Sequence, residues 1–267
     1  MIYIILPAYN EAGGLEKLFS SIDKTLSASR LNNYKIIFVD DGSTDETSQL
    51  IQKIKRTNPD IIYIARSENG GLGAALRTGF YSLLKYLTAE PDKEHFIITM
   101  DADNTHPPEL IPLMISEIKN NNYDIIIASR FIAGGKETGV PFYRKILSRG
   151  VKIILRMILG KNTVNDFTSG YRAYSGKVIL RSFSDINSGN EKLIEENGFA
   201  AGTELLFKLM TDGGKQPPKI KEIPLPLRYD LKSGPSKIKL IPTILGYLRI
   251  IFKTILLTKI KHYTKRN

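Results

Sequence analysis

Along the first 130 residues, short runs rich in isoleucine and valine alternate with longer stretches whose apolar positions recur every three or four residues. The runs at 2–6, 35–39, 61–64, 96–100 and 125–128 carry the strand signature. The segments at 11–30, 44–58, 72–88 and 108–121 carry the helical one, with Ser43, Thr44 and Pro107 as start signals. Apolar strands separated by amphipathic helices predict a mostly parallel sheet covered on both faces, in a doubly wound α/β nucleotide-binding half.

Beyond residue 130 the rhythm changes. A loop bearing Gly134, Gly135 and Gly139 leads into an amphipathic segment at 142–159 and a polar turn at 162–169. The stretch 187–198 is polar and acidic, 213–218 is turn-rich, and 220–228 alternates with prolines in the manner of an edge strand. These residues read as an acceptor-facing half, 131–240, within one domain spanning 1–240, and the loop at 232–237 is expected to be mobile. Residues 241–267 read as a basic amphipathic helix, with Ile244, Leu245, Leu248, Ile251, Phe252, Ile255 and Leu256 at helical spacing and Arg249 and Lys253 four apart. Two placements stay open for it, flat on a membrane interface or packed on the core with its lysines in water.

Composition narrows the class. With 42% hydrophobic and 24% charged residues, the 267-residue chain is that of a folded protein with one large core. No uncharged apolar run reaches the roughly 18 residues of a spanning helix. The first ten residues lack a basic leader region and a small-residue cleavage site, and read as a buried strand rather than a signal peptide. Without cysteine there is no disulfide framework, thiolate-held metal or thiol nucleophile. The net charge of +11 is concentrated, because residues 228–267 hold ten basic side chains against the single acid Asp230. The body is nearly neutral, so no nucleic-acid partner is expected.

Open parallel sheets bind ligands beyond the carboxyl ends of their strands. Three such ends are unusual here: Pro7-Ala8-Tyr9-Asn10-Glu11, Asp40-Asp41-Gly42-Ser43 and Asp101-Ala102-Asp103. Carboxylates gathered on one rim repel one another unless a cation or a donor-rich ligand sits among them. Asp101 and Asp103 can share a hard divalent cation, Mg²⁺ or Mn²⁺, that keeps positions open for a nucleoside diphosphate; the alternative is a solvated turn of helix-capping acids ahead of Pro107. Asp41 is suited to accept hydrogen bonds from a base or ribose while Ser43 or Thr44 caps the following helix. Tyr9 either flanks that base or packs in the core. Asn69-Gly70-Gly71-Leu72-Gly73 lacks the third glycine of a dinucleotide fingerprint and reads chiefly as a tight turn. His106 reads as a turn residue rather than a ligand.

Taken in order, these motifs resemble the inverting GT-A glycosyltransferases of family 2, and within them the polyprenyl-phosphate glycosyltransferases of the dolichyl-phosphate mannose or glucose synthase kind. The likeness spans about residues 1–240. Besides the three strand ends it rests on His106-Pro107-Pro108-Glu109, Ser129-Arg130-Phe131, Phe142-Tyr143-Arg144-Lys145 and Asp166-Phe167-Thr168-Ser169-Gly170-Tyr171-Arg172. Gly198-Phe199 with Glu204, and Ser236-Lys237, complete it.

The resemblance implies a Rossmann-like GT-A fold and metal-dependent transfer of a hexose from a GDP-mannose or UDP-glucose type donor to a dolichyl or undecaprenyl phosphate. A GT-A enzyme with a saccharide acceptor, in cell-surface polysaccharide or glycoconjugate synthesis, is the alternative. It implies that Pro7, Tyr9, Glu11, Val39 and Asp41 hold the nucleoside, and that Asp101, Ala102 and Asp103 hold the metal and diphosphate, with Arg130 on the donor. Arg144, Arg228 and Lys237 would face the acceptor phosphate, and Asp103, Arg130 and Asp166 would form the catalytic set. It also implies a cytoplasmic protein held peripherally on the cytoplasmic face of a membrane. The chain departs from its relatives at Thr105, where some carry glutamine, and in 134–140, which lacks a common tryptophan. Leu231-Lys232-Ser233-Gly234-Pro235 leaves open which cation replaces an arginine usual in that loop.

Overall fold

The computed structural model describes residues 1–160, 163–186, 193–211, 217–232, 234 and 236–264, with backbone alone at 184–186 and 254–264. Four strands, Ile2–Ala8 (β1), Tyr34–Asp40 (β2), Ile61–Ala65 (β3) and Phe96–Thr99 (β4), run parallel in the order β3-β2-β1-β4. Ile125–Ser129 (β5) belongs to the same seven-stranded sheet. Lys136–Thr138 (β6) stands apart, while Arg172–Ser175 (β7) inserts between β4 and β5, antiparallel to both. Ile220–Pro224 (β8) pairs in parallel with β5 at the sheet edge, and Pro226–Arg228 (β9) leaves to pair with β6.

The strands are apolar throughout because both faces are covered. In β1, Ile4 and Leu6 pack toward Leu15–Ala28 (α1), while Tyr3 and Ile5 pack on the other face. Thr47–Thr57 (α2) lies on the α1 side, Leu72–Ala89 (α3) on the opposite one, and Ile111–Asn121 (α4) returns to the first. Phe142–Leu159 (α5), Gly176–Ile186 (α6), Ala201–Thr211 (α7) and Leu240–Thr264 (α8) follow, contributing to the α3-side core.

The five early strands and four early helices stand where the hydrophobic pattern places them, with three shifted starts. That of the fourth helix is a 3₁₀ turn at Pro108–Leu110, which delays α4 to Ile111. A 3₁₀ turn at Ala12–Gly14 delays α1 to Leu15. Ser43 and Thr44 do not cap α2, which begins at Thr47; the Ser43 hydroxyl accepts the Asn10 N–H at 2.9 Å and the Thr44 N–H donates to Asn10 Oδ1 at 2.8 Å. The glycine loop contains β6, and the proline-spaced stretch splits at Leu225 into β8 and β9. Ser233 and Pro235, Asn162, and parts of the stretches 187–198 and 213–218 lie outside the described residues, as do the side chains of Ile255, Leu256 and the last tail cations.

Candidate active site

Strand order reverses between β1 and β4, and a cavity of about 730 Å³ opens at their carboxyl ends, where doubly wound sheets bind ligands. Pro7, Tyr9, Glu11, Asp41, Asp101, Ala102, Asp103, Arg130, Arg144 and Lys237 line it. Val39, Asp166 and Arg228 do not. Strand alternation turns Val39 into the apolar core on the α3 face, and Arg228 forks outward onto Asp230 at 2.7 Å.

One end of the cavity is built by the Asp40-Asp41 turn. Asp41 accepts the Gly70 and Gly71 N–H groups at 3.1 and 2.7 Å, and the Arg66 guanidinium lies 2.7 Å away. Its buried carboxyl is pushed up by desolvation, against those N–H donors and Arg66. Gly71 is required there, since it has φ +89° and a Cβ would meet the Asn197 carbonyl at 2.5 Å. The Asn69–Gly73 segment is thus a tight turn pinned by Asp41. Asp40 accepts the Ser43 N–H at 2.9 Å and caps the turn from within.

The acidic rim is held by two lysines. Lys232 bonds to Asp103 Oδ2; Lys237 bonds to Glu11 Oε1 and to the carbonyls of Tyr9 and Asn10. The two described ends of the 232–237 loop are therefore both anchored in the cleft. Thr105 donates to Asp103 Oδ1 through its N–H at 3.1 Å and its hydroxyl at 2.7 Å. Burial alone would raise the Asp103 carboxyl, but Lys232 and the Thr105 hydroxyl outweigh it and hold it below the ordinary carboxylate range. Glu11 moves the other way, because burial exceeds the help from Lys237. Burial acts to lower the Lys232 ammonium, and Asp103, with Glu11 and Asp101 behind it, raises it instead.

Arg130 projects from the end of β5. Its Nε and Nη2 donate to Asp166 at 2.8 and 2.7 Å, and Nη2 also reaches the Thr168 hydroxyl at 2.6 Å. Asp166 has no exposed surface and further accepts the N–H groups of Arg130, Thr168 and Ser169. Its lone pairs are filled, so it orients Arg130 rather than a substrate. Burial would raise the Asp166 carboxyl, and Arg130 drives it below its ordinary value. Glu204 is engaged similarly, accepting the N–H groups of Glu195 and Glu196 at 2.9 and 2.8 Å.

Among the described residues no three His, Asp or Glu side chains converge on one point. Asp101 and Asp103 supply two hard carboxylates to the cavity, and a Mg²⁺ or Mn²⁺ ion bound to them would complete its shell with phosphate oxygens and water. Sequence reasoning left Lys232 as an open candidate in the late loop, marked Thr105 only as a departure from its relatives, and passed over Arg66. The basic late loop hinted at the first, but which cation reaches the acids depends on the path of the chain after β9.

A mostly parallel α/β sheet with an acid-rimmed cleft at its switch point is the architecture of the GT-A fold. Residues 3–183 match Glycosyl transferase family 2, and the chain belongs to that family. It is 36% identical over 254 residues to a dolichol-phosphate mannosyltransferase of Pyrococcus furiosus, covering 94% of this chain and 63% of that protein. The chain thus spans less than two thirds of that relative's length. A polyprenol monophosphomannose synthase of Mycolicibacterium smegmatis is 27% identical over 79% of this chain and 72% of its own. In fold it is similar to a Pyrobaculum calidifontis mannosyltransferase solved with GDP-Man and Mn²⁺, with a TM-score of 0.51 at 15% identity over 84% of this chain and 54% of that one.

Proposed function

We propose that the protein is an inverting glycosyltransferase that moves a hexose from a nucleoside diphosphate sugar to a polyprenyl phosphate. The observation that carries this reading is one cavity with an acidic pair at the strand ends and Arg130 and Arg144 facing the same space. The names of the two curated relatives support the lipid acceptor and a mannosyl donor.

The donor's nucleoside lies toward Pro7, Tyr9 and the Asp41 turn, with its diphosphate toward Asp101 and Asp103. Asp101 and Asp103 are the residues that would hold a divalent cation there, and it would supply charge neutralisation for the departing diphosphate. A phosphate monoester is largely dianionic at neutral pH, its second pKa being about 6, so its oxygen attacks without a general base. The new bond joins that oxygen to the anomeric carbon as the bond to the diphosphate breaks, and the nucleoside diphosphate leaves. Arg130, held rigid by Asp166, and Arg144 neutralise the phosphates in line. Arg144 lies 5.0 Å from the Tyr229 ring, which steadies it at the rim.

The lipid tail has a surface to follow. α5 and α8 border the cavity through Leu147 and Ser148 and through Pro242, Thr243 and Tyr247. Both leave large apolar side chains in water: Phe142, Ile146 and Met157 on one, Ile241, Leu248 and Phe252 on the other. α8 also packs inward through Thr243, Tyr247 and Ile250, the core placement open from its sequence, while its exposed apolar side chains support the interfacial one. Arg249 bonds to Glu196 and Lys253 to Glu195, so each of these two tail cations has an acid beside it that offsets its charge. Among the described residues no helix is long and apolar enough to cross a membrane. The exposed apolar side chains of α5 and α8 support contact with a membrane surface, on the cytoplasmic face where nucleotide sugars would be met.

The test is incubation with labelled GDP- or UDP-sugars, polyprenyl phosphate and Mg²⁺ or Mn²⁺, scored as label extracted into organic solvent. Lipid-linked product from one donor supports the reading. Donor turnover with no lipid product moves the assignment to a saccharide acceptor.

A further inference from the structure

Asp103 divides its oxygens between two kinds of partner. Oδ1 is filled by the N–H and the hydroxyl of Thr105, at 3.1 and 2.7 Å. Oδ2 is the oxygen left for an ion, and the Lys232 ammonium is bonded to it. The two side chains are only 8% and 10% exposed. A carboxylate that deep, with Asp101 and Glu11 beside it, is costly to leave unpaired.

We propose that Lys232 is the resting counter-ion of the cation site, occupying Asp103 Oδ2 until a divalent cation arrives and then giving up that oxygen in exchange. The inference rests on the reading of Asp101 and Asp103 as the metal-binding pair. An ammonium and a divalent cation on one carboxylate oxygen repel each other, so the second displaces the first. The displaced ammonium keeps a place nearby, because the Tyr229 ring already lies 5.9 Å from it. A nucleoside diphosphate entering with the cation supplies the anionic oxygens that the ammonium loses. Cation and nucleotide therefore bind as a coupled pair, each raising the affinity of the other by the same factor. Without nucleotide, the cation must compete with a tethered ammonium.

Calorimetric titration of Mn²⁺ into the full chain, with and without GDP or UDP, tests this without any turnover. The unmodified protein is expected to bind Mn²⁺ weakly alone and more tightly with the nucleotide. Lys232→Met is expected to bind Mn²⁺ alone at least about fivefold more tightly than the unmodified protein, the lower end of ordinary coupling between sites, and to gain less from nucleotide. Lys232→Arg keeps the charge and is expected to bind Mn²⁺ as weakly as the unmodified protein. If circular dichroism shows Lys232→Met unfolded, Lys232→Gln replaces it with the same expectation. A folded, uncharged variant that binds Mn²⁺ no more tightly than the unmodified protein overturns the exchange. Absence of Mn²⁺ binding in every protein, with and without nucleotide, overturns the metal-binding pair itself and the exchange with it.

Discussion

His106 holds Asp101 by its backbone: the imidazole Nδ1 accepts the Asp101 N–H at 3.0 Å. That bond places the ring proton on Nε2. The ring lies stacked on Tyr171, centroids 5.0 Å apart, and the Tyr171 hydroxyl donates to the Pro107 carbonyl at 2.9 Å. Asp101 is thus set by a buried clamp formed by the residues that follow it and by Tyr171, just ahead of β7. His106 therefore does more than fill the turn in which its sequence context places it.

His106→Ala is expected to cost about 1–3 kcal/mol, because it leaves the buried Asp101 N–H without an acceptor. Nucleotide affinity in Mn²⁺ should fall with it, and His106→Asn, which restores an acceptor, should recover part of that affinity. Urea denaturation and nucleotide titration measure the two effects. Stability lost with nucleotide affinity untouched would contradict the positioning role.

Asp103→Ala is expected to abolish transfer and the cation-dependent part of nucleotide binding. Rates in the variant equal to those of the unmodified protein would exclude Asp103 from the site.

The Arg130–Asp166 pair gives a prediction on stability. Removing one partner of a buried ion pair costs about 3–5 kcal/mol, so Asp166→Ala should fall in that range by denaturant unfolding. The folded Asp166 carboxyl lies below its ordinary value near 3.8. Its contribution is therefore complete above about pH 4 and is lost as pH falls through the lowered folded value. Asp166→Asn should flatten the acid limb of the stability profile below about pH 4, and an unchanged limb would contradict the pairing.

How much of this was legible in the chain follows from the reach of each interaction. The strands and helices of 1–130 are written as local periodicity, and the strand ends announce Tyr9, Asp41, Asp101 and Asp103 because a parallel sheet gathers its carboxyl ends. β7 was not legible: it is four residues long, and Arg172, its first, is fully buried with its guanidinium on the carbonyls of Phe167 and Gly202. No periodicity marks such a strand. Lys232 meets Asp103 across 129 residues of chain, and no local pattern encodes a meeting of that range. Val39 shows the converse, since its motif is local while strand alternation sends its side chain into the core.

Ile241 and Phe252 test the proposed membrane contact without disturbing the inward face of α8. Burying a large apolar side chain is worth about 1.5–3 kcal/mol. The double variant Ile241→Asp, Phe252→Asp is expected to lose at least about tenfold in partitioning onto liposomes. Its nucleotide affinity should stay the same. Unchanged sedimentation with liposomes would exclude this face as the lipid contact.

The central claim is a direct, cation-assisted displacement by a lipid phosphate, and the anomeric configuration of the product tests it most directly. With an α-linked nucleotide sugar, polyprenyl phosphate and Mn²⁺, NMR of the extracted lipid is expected to show a β-linked sugar phosphate, absent when a chelator is added. An α-linked product, or transfer that proceeds undiminished in the chelator, would contradict the account.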